Sequence, residues 1–141
     1  MKLITRDTDY AIRALCFMAE NENGVTSVSE LVQKLKIPGP FLRKILQALN
    51  KKGVLASFKG KSGGFKLRRK PKEIFITDLI EVFQGPLKLN RCIFKKKLCP
   101  SMDKCILKKR IGEIEQRVVS ELGLITVASL LRRGKNGEIF K

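Results

Sequence analysis

The chain has 141 residues, and its 30 Lys and Arg residues against 13 Asp and Glu residues give a formal net charge of +17. This length fits one domain, or one small domain with an appendage, and a hydrophobic content of 43% excludes wholesale disorder. The positive charge indicates a polyanionic partner, nucleic acid first and an acidic membrane surface second. Histidine is absent, which excludes His-based catalytic triads, His general bases and His metal ligands.

The N-terminus and the cysteine content predict a cytosolic protein. Charged residues interrupt the N-terminal segment before an apolar run could form a signal-peptide core, and no stretch approaches the roughly 18 apolar residues of a membrane span. Four cysteines in such a chain are more typical of reduced thiols or metal ligands than of a disulfide framework.

The first half of the chain predicts three helices. Apolar residues at helical spacing predict an amphipathic helix over 7–20, and Ser27 or Ser29 is placed to cap a second helix. The breaks at Pro38 and Gly39 precede a third helix that runs to about Lys52. Its predicted apolar side consists of Phe41, Leu42, Ile45, Leu46 and Leu49. Two short helices joined by a tight turn, the second rich in basic residues, are typical of a helix-turn-helix.

The next segment predicts a β-hairpin. Residues 54–58 and 65–67 are expected to form its strands, joined by a turn over 59–64 that contains Lys59, Gly60 and Lys61. A basic, glycine-rich hairpin behind a recognition helix is a wing, which can approach phosphates or enter the minor groove. Gly60-Lys61-Ser62 also resembles the end of a nucleotide-binding P-loop, but that motif needs a glycine at position 55, where this chain has leucine. We therefore expect no nucleotide ligand.

Three helices are predicted after the hairpin. Thr77 or Asp78 is placed to cap the first, which Gly85 and Pro86 end. A longer helix places a narrow apolar seam among charged residues, at Leu107, Ile111, Ile114, Val118 and Leu122. Such a seam suits a partner helix better than a small core. Thr126 is placed to cap a last helix over 127–133.

These elements divide the chain into three expected segments. They are a DNA-binding domain (1–85), a cysteine-bearing loop (86–104) and a dimerisation region with a C-terminal helix (105–141).

The basic residues are concentrated in one part of the chain. Between Leu31 and Lys72 there are thirteen of them and no acidic residue: Lys34, Lys36, Arg43, Lys44, Lys51, Lys52, Lys59, Lys61, Lys66, Arg68, Arg69, Lys70 and Lys72. A solvated face usually carries both signs of charge, so this basic block predicts a phosphate-facing surface.

Three of the cysteines form a C-x6-C-x5-C cluster at Cys92, Cys99 and Cys105. Zinc sites usually contain close C-x2-C pairs, and a disulfide would leave one thiol over. Three thiolates on a long loop suit an iron–sulfur cluster, although zinc and redox-active or structural thiols remain alternatives. Lysines around the cysteines would offset an anionic cluster. Cys16 is predicted to pack in the core, because it lies in an apolar helical stretch.

Four segments together resemble the Rrf2 family of bacterial transcriptional regulators, which includes iron–sulfur, nitric-oxide-sensing and cysteine-metabolism regulators. They are MKLITRDTDYAIRAL, PGPFLRKILQALNKKGVLASFKGKSGGFKL, ITDLIEVFQGP and the cysteine triplet. The resemblance implies a mainly α-helical fold with a small β-hairpin wing. It implies a homodimer, joined mainly through the long helix after the cysteines, that binds a pseudo-palindromic operator in double-stranded DNA in the bacterial cytoplasm.

Site residues follow from this resemblance position by position. Pro40, Phe41, Arg43 and Lys44 match the family's recognition helix, and Lys59 and Gly60 match its wing. Several family members have acidic or amide residues where this chain has Arg43 and Lys44, so their operator sequences cannot be transferred. Two cations suit guanine acceptors or phosphates. Lys51 and Lys61 complete the expected DNA-binding set through phosphate contacts.

The resemblance also implies that Cys92, Cys99 and Cys105 hold a [4Fe–4S] or [2Fe–2S] cluster. One branch of the family has a histidine ligand where this chain has Lys108, which is a poor ligand while protonated. Another branch resembles this chain around Asp9, and there the matching aspartate completes the partner subunit's cluster. Alternatively, Asp9 only places a favourable negative charge near the start of its helix.

The predicted function is therefore a homodimeric regulator, expected to be a repressor, whose operator affinity an iron–sulfur cluster controls. The alternative is a cluster-free repressor that uses a thiol switch or a partner protein. An enzyme is disfavoured because the chain has no histidine, no P-loop, no Rossmann fingerprint and no suitably spaced carboxylate pair.

Overall fold

The computed structural model describes residues 2–21, 24–89 and 104–133, and within them the chain forms six α-helices and one β-hairpin. The helices are α1 (Arg6–Glu20), α2 (Val28–Leu35), α3 (Gly39–Lys51), α4 (Ile76–Gln84), α5 (Ile106–Leu122) and α6 (Val127–Arg133). Strands β1 (Leu55–Phe58) and β2 (Gly64–Leu67) pair antiparallel, with Leu55 opposite Leu67 and Phe58 opposite Gly64. The predicted fold, mainly α with a hairpin wing, is confirmed.

Helices α2 and α3 form the helix-turn-helix. Ser27 caps α2, and its hydroxyl oxygen accepts a hydrogen bond from the Glu30 amide at 3.1 Å. Lys36 ends α2 in the left-handed conformation, and the buried Ile37 then enters the core. Pro40 lies in the first turn of α3, where its missing N–H costs no helical hydrogen bond. The turn therefore fixes the orientation of α3 relative to α2.

The core forms around α1, which packs against α2, α3, α4, α6 and β2. Ala11 and Leu15 of α1 are fully buried, as are Leu46 of α3, Leu79 of α4 and Val127 of α6. Leu42, Ile45 and Leu49 complete the predicted apolar side of α3. The prediction was wrong for Phe41, whose side chain is 49% exposed and does not join that side.

The base of the wing is attached to the chain just before α2. Thr26 donates to the Phe65 carbonyl at 2.8 Å and accepts from the Phe65 amide at 2.9 Å. Gly64 has a φ of +156°, and a Cβ at this position would overlap the Thr26 carbonyl oxygen. A residue without a side chain is therefore required where the wing meets the helix-turn-helix.

The start of α4 differs from the prediction. Neither Thr77 nor Asp78 caps this helix; the cap position is Phe75, without a side-chain hydrogen bond. The backbone there pairs with the segment before α6, because Ile76 donates to Ile125 and Val127 donates to Ile74, each at 3.0 Å. A short 3-10 turn at Pro71–Glu73, which the sequence pattern did not indicate, precedes this pairing.

Helix α5 buries none of its residues within the described chain. Leu107 is 68% exposed and Ile114 is 52% exposed, and both belong to the predicted seam. At the start of α6, Thr126 and Ser129 cap each other reciprocally, since each side-chain oxygen accepts from the other residue's amide. None of the helices in the described ranges is long and apolar enough to cross a membrane.

Candidate nucleic-acid interface and cysteine site

All thirteen side chains of the basic block are exposed. The ion pairs found within residues 2–21, 24–89 and 104–133 are Arg13–Asp9 and Arg110–Glu113, and neither uses the basic block. Its positive charge is therefore left without acidic partners in the described part of the chain, as a surface that meets phosphates requires.

Helix α3 presents four of the predicted DNA-binding residues to solvent. Pro40, Phe41, Arg43 and Lys44 are all exposed, in the first two turns of the helix. The guanidinium carbon of Arg6, in α1, lies 6.0 Å from the centre of the Phe41 ring. That distance is at the outer limit of a cation–π contact. Arg6 of α1 therefore contributes a weak interaction that helps to hold the exposed ring in position.

The wing tip carries Lys59, Gly60 and Lys61, all exposed. Gly60 has a φ of +104°, which favours glycine, and its surroundings leave room for a close approach by another molecule. The Gly63 amide donates to the Gly60 carbonyl at 3.0 Å and closes the turn. The two lysines therefore project from a compact tip.

The C-terminal end of α3 adds cations to the same surface. Lys51 is exposed in the last turn, and the Arg69 guanidinium donates to the Lys52 carbonyl at 3.4 Å. This contact brings a cation that follows β2 to the end of α3, so the basic surface continues between the two elements.

Cys105 is the member of the predicted triplet that the structure describes; Cys92 and Cys99 lie outside the described residues. It is the N-cap of α5, half-buried and not in a disulfide, and its sulfur accepts from the Lys108 amide at 3.4 Å. The N-terminal end of a helix favours negative charge, which suits a sulfur ligand. Within the described ranges, no three His, Cys, Asp or Glu side chains are grouped to hold a metal ion.

Asp9 lies in the first turn of α1, and its carboxylate accepts from the Arg13 guanidinium at 2.8 Å. Both side chains are partly exposed, at 39% and 33% respectively. This geometry agrees with the electrostatic role at a helix start, and it leaves the carboxylate accessible to a second subunit.

Cys16 lies apart from these residues, in the core, with 3% of its surface exposed. Burial, with a smaller contribution from the charge of Glu20, raises the pKa of its thiol to about 12. Cys16 therefore stays protonated at neutral pH and is no candidate ligand.

Two polar residues near the cysteine segment were missed by the sequence reasoning. The Gln84 side chain contacts the start of α1, and the Glu115 carboxylate accepts from the Leu89 amide at 2.9 Å. Both contacts join residues far apart in the chain, and no local pattern indicates them.

A helix-turn-helix, a basic hairpin behind it and an exposed helix with an apolar seam define a winged-helix DNA-binding protein. The family model for Rrf2, described as an iron-dependent transcriptional regulator, matches residues 4–133. A protein of Aquifex aeolicus (strain VF5) that bears the name of an HTH-type transcriptional regulator is 33% identical over 124 residues, covering 86% of each chain. The chain belongs to the Rrf2 family. The family and this relative are transcriptional regulators rather than enzymes, in agreement with the sequence prediction.

Solved structures confirm the fold. The global cysteine regulator CymR (YrzC) of B. subtilis is 23% identical, with a TM-score of 0.75 over 94% of this chain and 98% of that one. IscR of T. potens is 22% identical, with a TM-score of 0.76 over 100% of this chain and 93% of that one. At these identities the two structures establish the winged-helix architecture.

Proposed function

We propose that the protein is a homodimeric transcriptional repressor whose affinity for a pseudo-palindromic operator is controlled by an iron–sulfur cluster. The observation that carries the proposal is the position of Cys105 at the N-cap of α5. The last cysteine of the triplet directly precedes the exposed helix that we assign to dimerisation. A change at the cysteines can therefore reach the subunit interface without an intervening linker.

The DNA-binding part of the proposal is supported by exposure and charge. Arg43 and Lys44 would reach base edges or phosphates from α3, with Pro40 and Phe41 beside them, and Lys51 would contact a phosphate. Lys59, Gly60 and Lys61 would place the wing along the backbone or in the minor groove. Two such units related by a twofold axis would read half-sites about one helical turn apart.

Selection of operators from random duplexes tests this part of the proposal. We expect a pseudo-palindrome whose half-sites are centred roughly 10 base pairs apart, or a multiple of that spacing. Recovery of single, asymmetric half-sites, or of no preferred sequence, would contradict it.

Replacing Arg43 with alanine is expected to cost roughly 1–3 kcal/mol of operator binding and to relax the preference at one base pair, because a bidentate base contact is lost. Replacing Lys51 with alanine is the matched control: it should weaken all sequences alike and reduce the salt slope by about one. Titrations of the selected operator and its point variants at two salt concentrations measure both effects. An Arg43→Ala protein with unchanged base preferences would exclude a base-reading role.

The proposed dimer interface follows from the apolar residues that α5 leaves uncovered. Leu107 and Ile114 are more than half exposed, and the neighbouring Ile106 and Val119 are 77% and 41% exposed. Pairing two such helices would bury these side chains. The burial would stabilise the dimer by about 25 cal/mol for each Å² of apolar surface removed from water.

Replacing Ile114 with glutamate is expected to raise the dimer dissociation constant at least about 100-fold, because it places a charge in the centre of the apolar seam. Gln116→Glu introduces the same charge on an exposed polar position of the same helix and serves as the control. Sedimentation velocity across a concentration series compares the two variants. Equal association of both would place the dimer interface elsewhere.

For the cluster, the donor chemistry fits: Cys92, Cys99 and Cys105 supply three sulfur ligands, and Asp9 of the other subunit is the proposed fourth. A bound cluster supplies redox and ligand-exchange chemistry at these sulfurs. The chain's own residues would hold it, and Cys105 would tie it to the start of α5. To regulate, cluster binding must favour one dimer arrangement over another.

A cluster-free thiol switch is the second candidate, and the free, half-buried thiol of Cys105 is the observation that favours it. The two candidates differ in what the purified protein contains. A thiol switch would respond to oxidant as a colourless protein without iron, whereas the cluster regulator would lose its response together with iron and sulfide.

A further inference from the structure

We propose that Gln84 is a positioning residue that joins the segment leading to the cysteines to the recognition helix α3, through the N-terminal turn of α1. The inference rests on the proposed function in one respect, namely that α3 reads DNA. It assigns a role to a residue outside both the basic block and the cysteine triplet.

Gln84 is the last residue of α4, and its side chain makes three hydrogen bonds to the start of the chain. Its carbonyl oxygen accepts from the Thr5 amide at 2.9 Å and from the Thr8 hydroxyl at 2.7 Å, and its amide nitrogen donates to the Leu3 carbonyl at 3.3 Å. Thr5 is the N-cap of α1, and its own side chain caps no backbone amide. Gln84 thus acts as a capping residue for α1, although it is about eighty positions away in the sequence.

The Thr8 side chain makes this contact specific. Thr8 is fully buried, and its hydroxyl lies 3.1 Å from the Thr5 hydroxyl as well as 2.7 Å from Gln84. Moving Gln84 away would remove one partner of a buried hydroxyl and the partner of the Thr5 amide together. Since unpaired buried polar groups are costly, the turn and Gln84 are expected to move as a unit.

The same turn of α1 faces the DNA-binding surface. Arg6 follows Thr5 directly, and its guanidinium carbon lies 6.0 Å from the centre of the Phe41 ring in α3. Asp9, the proposed fourth ligand, follows Thr8 directly. One turn of helix therefore carries the contact with Gln84, the contact with the recognition helix and the proposed ligand.

On its other side, Gln84 begins the chain that leads to the cysteines. Gly85 ends α4 with a φ of +75°, and Leu89, four residues later, is hydrogen-bonded through its amide to Glu115 of α5 at 2.9 Å. Residues 85–89 are therefore fixed at both ends: Gln84, just before them, is hydrogen-bonded to the start of α1, and Leu89 is hydrogen-bonded to α5. A shift of α5 relative to the domain would displace Gln84 and, through the first turn of α1, Arg6 and Phe41.

The experiment uses the whole 141-residue chain without cluster, so that it does not depend on cluster binding. Gln84→Ala removes all three hydrogen bonds, whereas Gln84→Glu keeps the oxygen that accepts from Thr5 and Thr8. Gln116→Ala, at an exposed position of α5, is the control for loss of a glutamine. For each protein, the exchange rate of the Thr5 amide and the dissociation constants of the selected operator and its base-pair variants are measured.

In Gln84→Ala we expect faster exchange at Thr5 and operator binding about three- to tenfold weaker, the range that one or two hydrogen bonds represent. Phe41→Ala and the double variant are measured alongside. The loss in Gln84→Ala should fall at the same base pair as the loss in Phe41→Ala, and the double variant should lose no more than Phe41→Ala alone. Gln84→Glu should restore most of the affinity, and Gln116→Ala should match the unmodified protein.

Arg6→Ala breaks the chain of contacts beyond Gln84 and leaves the buried Thr8 untouched, so it also tests the proposal if Gln84→Ala does not fold. It should reproduce the change in base preference without changing the Thr5 exchange rate or the salt slope. Faster exchange at Thr5 in Gln84→Ala with unchanged operator preferences would overturn the proposed role of Gln84 alone. Operator binding without base preference in the unmodified protein would overturn the proposed function and this inference together.

Discussion

Replacing Cys92, Cys99 and Cys105 together with alanine is expected to give a folded, DNA-binding protein that contains no iron or sulfide. Cys105 is half-buried at the N-cap of α5 and contributes nothing to the core, so its loss should cost only a cap, about 1 kcal/mol of stability. The operator dissociation constant of this variant should equal that of cluster-free unmodified protein. It should no longer respond to oxidant or nitric oxide.

Cys16→Ala is the control for this variant. The Cys16 thiol is buried, and its pKa of about 12 keeps it protonated, so its removal should lower stability by roughly 1 kcal/mol and leave iron content unchanged.

Asp9→Ala separates the two roles considered for the Asp9 carboxylate, cluster ligand and ion-pair partner of Arg13. If Asp9 is a ligand, cluster lifetime should fall in this variant; if it only interacts with Arg13 and the helix start, cluster lifetime should not change.

If the variant that lacks Cys92, Cys99 and Cys105 kept an unaltered oxidant response, the cysteines would not be the sensor.

Gly64→Ala is expected to be the most damaging single substitution in the wing. An added Cβ would overlap the Thr26 carbonyl oxygen, and this is the oxygen that accepts from Phe65 and attaches β2 to the segment before α2. Backbone conflict of this kind, together with a φ that only glycine adopts readily, should lower the free energy of unfolding by about 3 kcal/mol. Operator affinity should fall as well, because the wing would lose its fixed orientation.

Gly53→Ala is the matched control. Gly53 also has a positive φ, +74°, but an added Cβ there would meet no atom within 4 Å outside its own and the adjacent residues. Only the backbone cost of roughly 1–2 kcal/mol then applies. Urea denaturation of the two variants gives the comparison. Equal destabilisation would mean that the contact with Thr26 does not explain the glycine at position 64.

The parts of the fold that local sequence determines were predictable. Ser27 and Thr126 are N-caps as expected, because capping depends on residues three positions apart. Apolar periodicity predicts which sides of α1 and α3 face the core. The narrow apolar seam of α5 predicts a helix that does not pack into the core of one subunit. Phe41 was misassigned because it is apolar and adjacent to Leu42, and periodicity alone does not show which residue at the edge of an apolar side stays exposed.

The contacts that were missed all join distant parts of the chain. The start of α4 pairs through its backbone with the segment around Thr126, so it needs no cap from Thr77 or Asp78. Gln84 and Glu115 are isolated polar residues whose partners lie far away in sequence. Neither belongs to a motif, so only the folded chain shows what they hold. The ion pair of Asp9 with Arg13, by contrast, follows from i, i+4 spacing on one helix. The proposed role of Asp9 as a cluster ligand involves a second subunit, which no pattern within one chain can indicate.

The most direct test of the proposed regulation is anaerobic purification followed by iron and sulfide analysis, spectroscopy of the isolated protein, and operator titration before and after removal of the cluster. We expect a coloured protein with iron and sulfide bound at the cysteines. Its operator affinity should change at least about tenfold, or 1.4 kcal/mol, when the cluster is lost. A colourless protein that cannot be reconstituted, or equal operator affinity with and without the cluster, would contradict control by an iron–sulfur cluster.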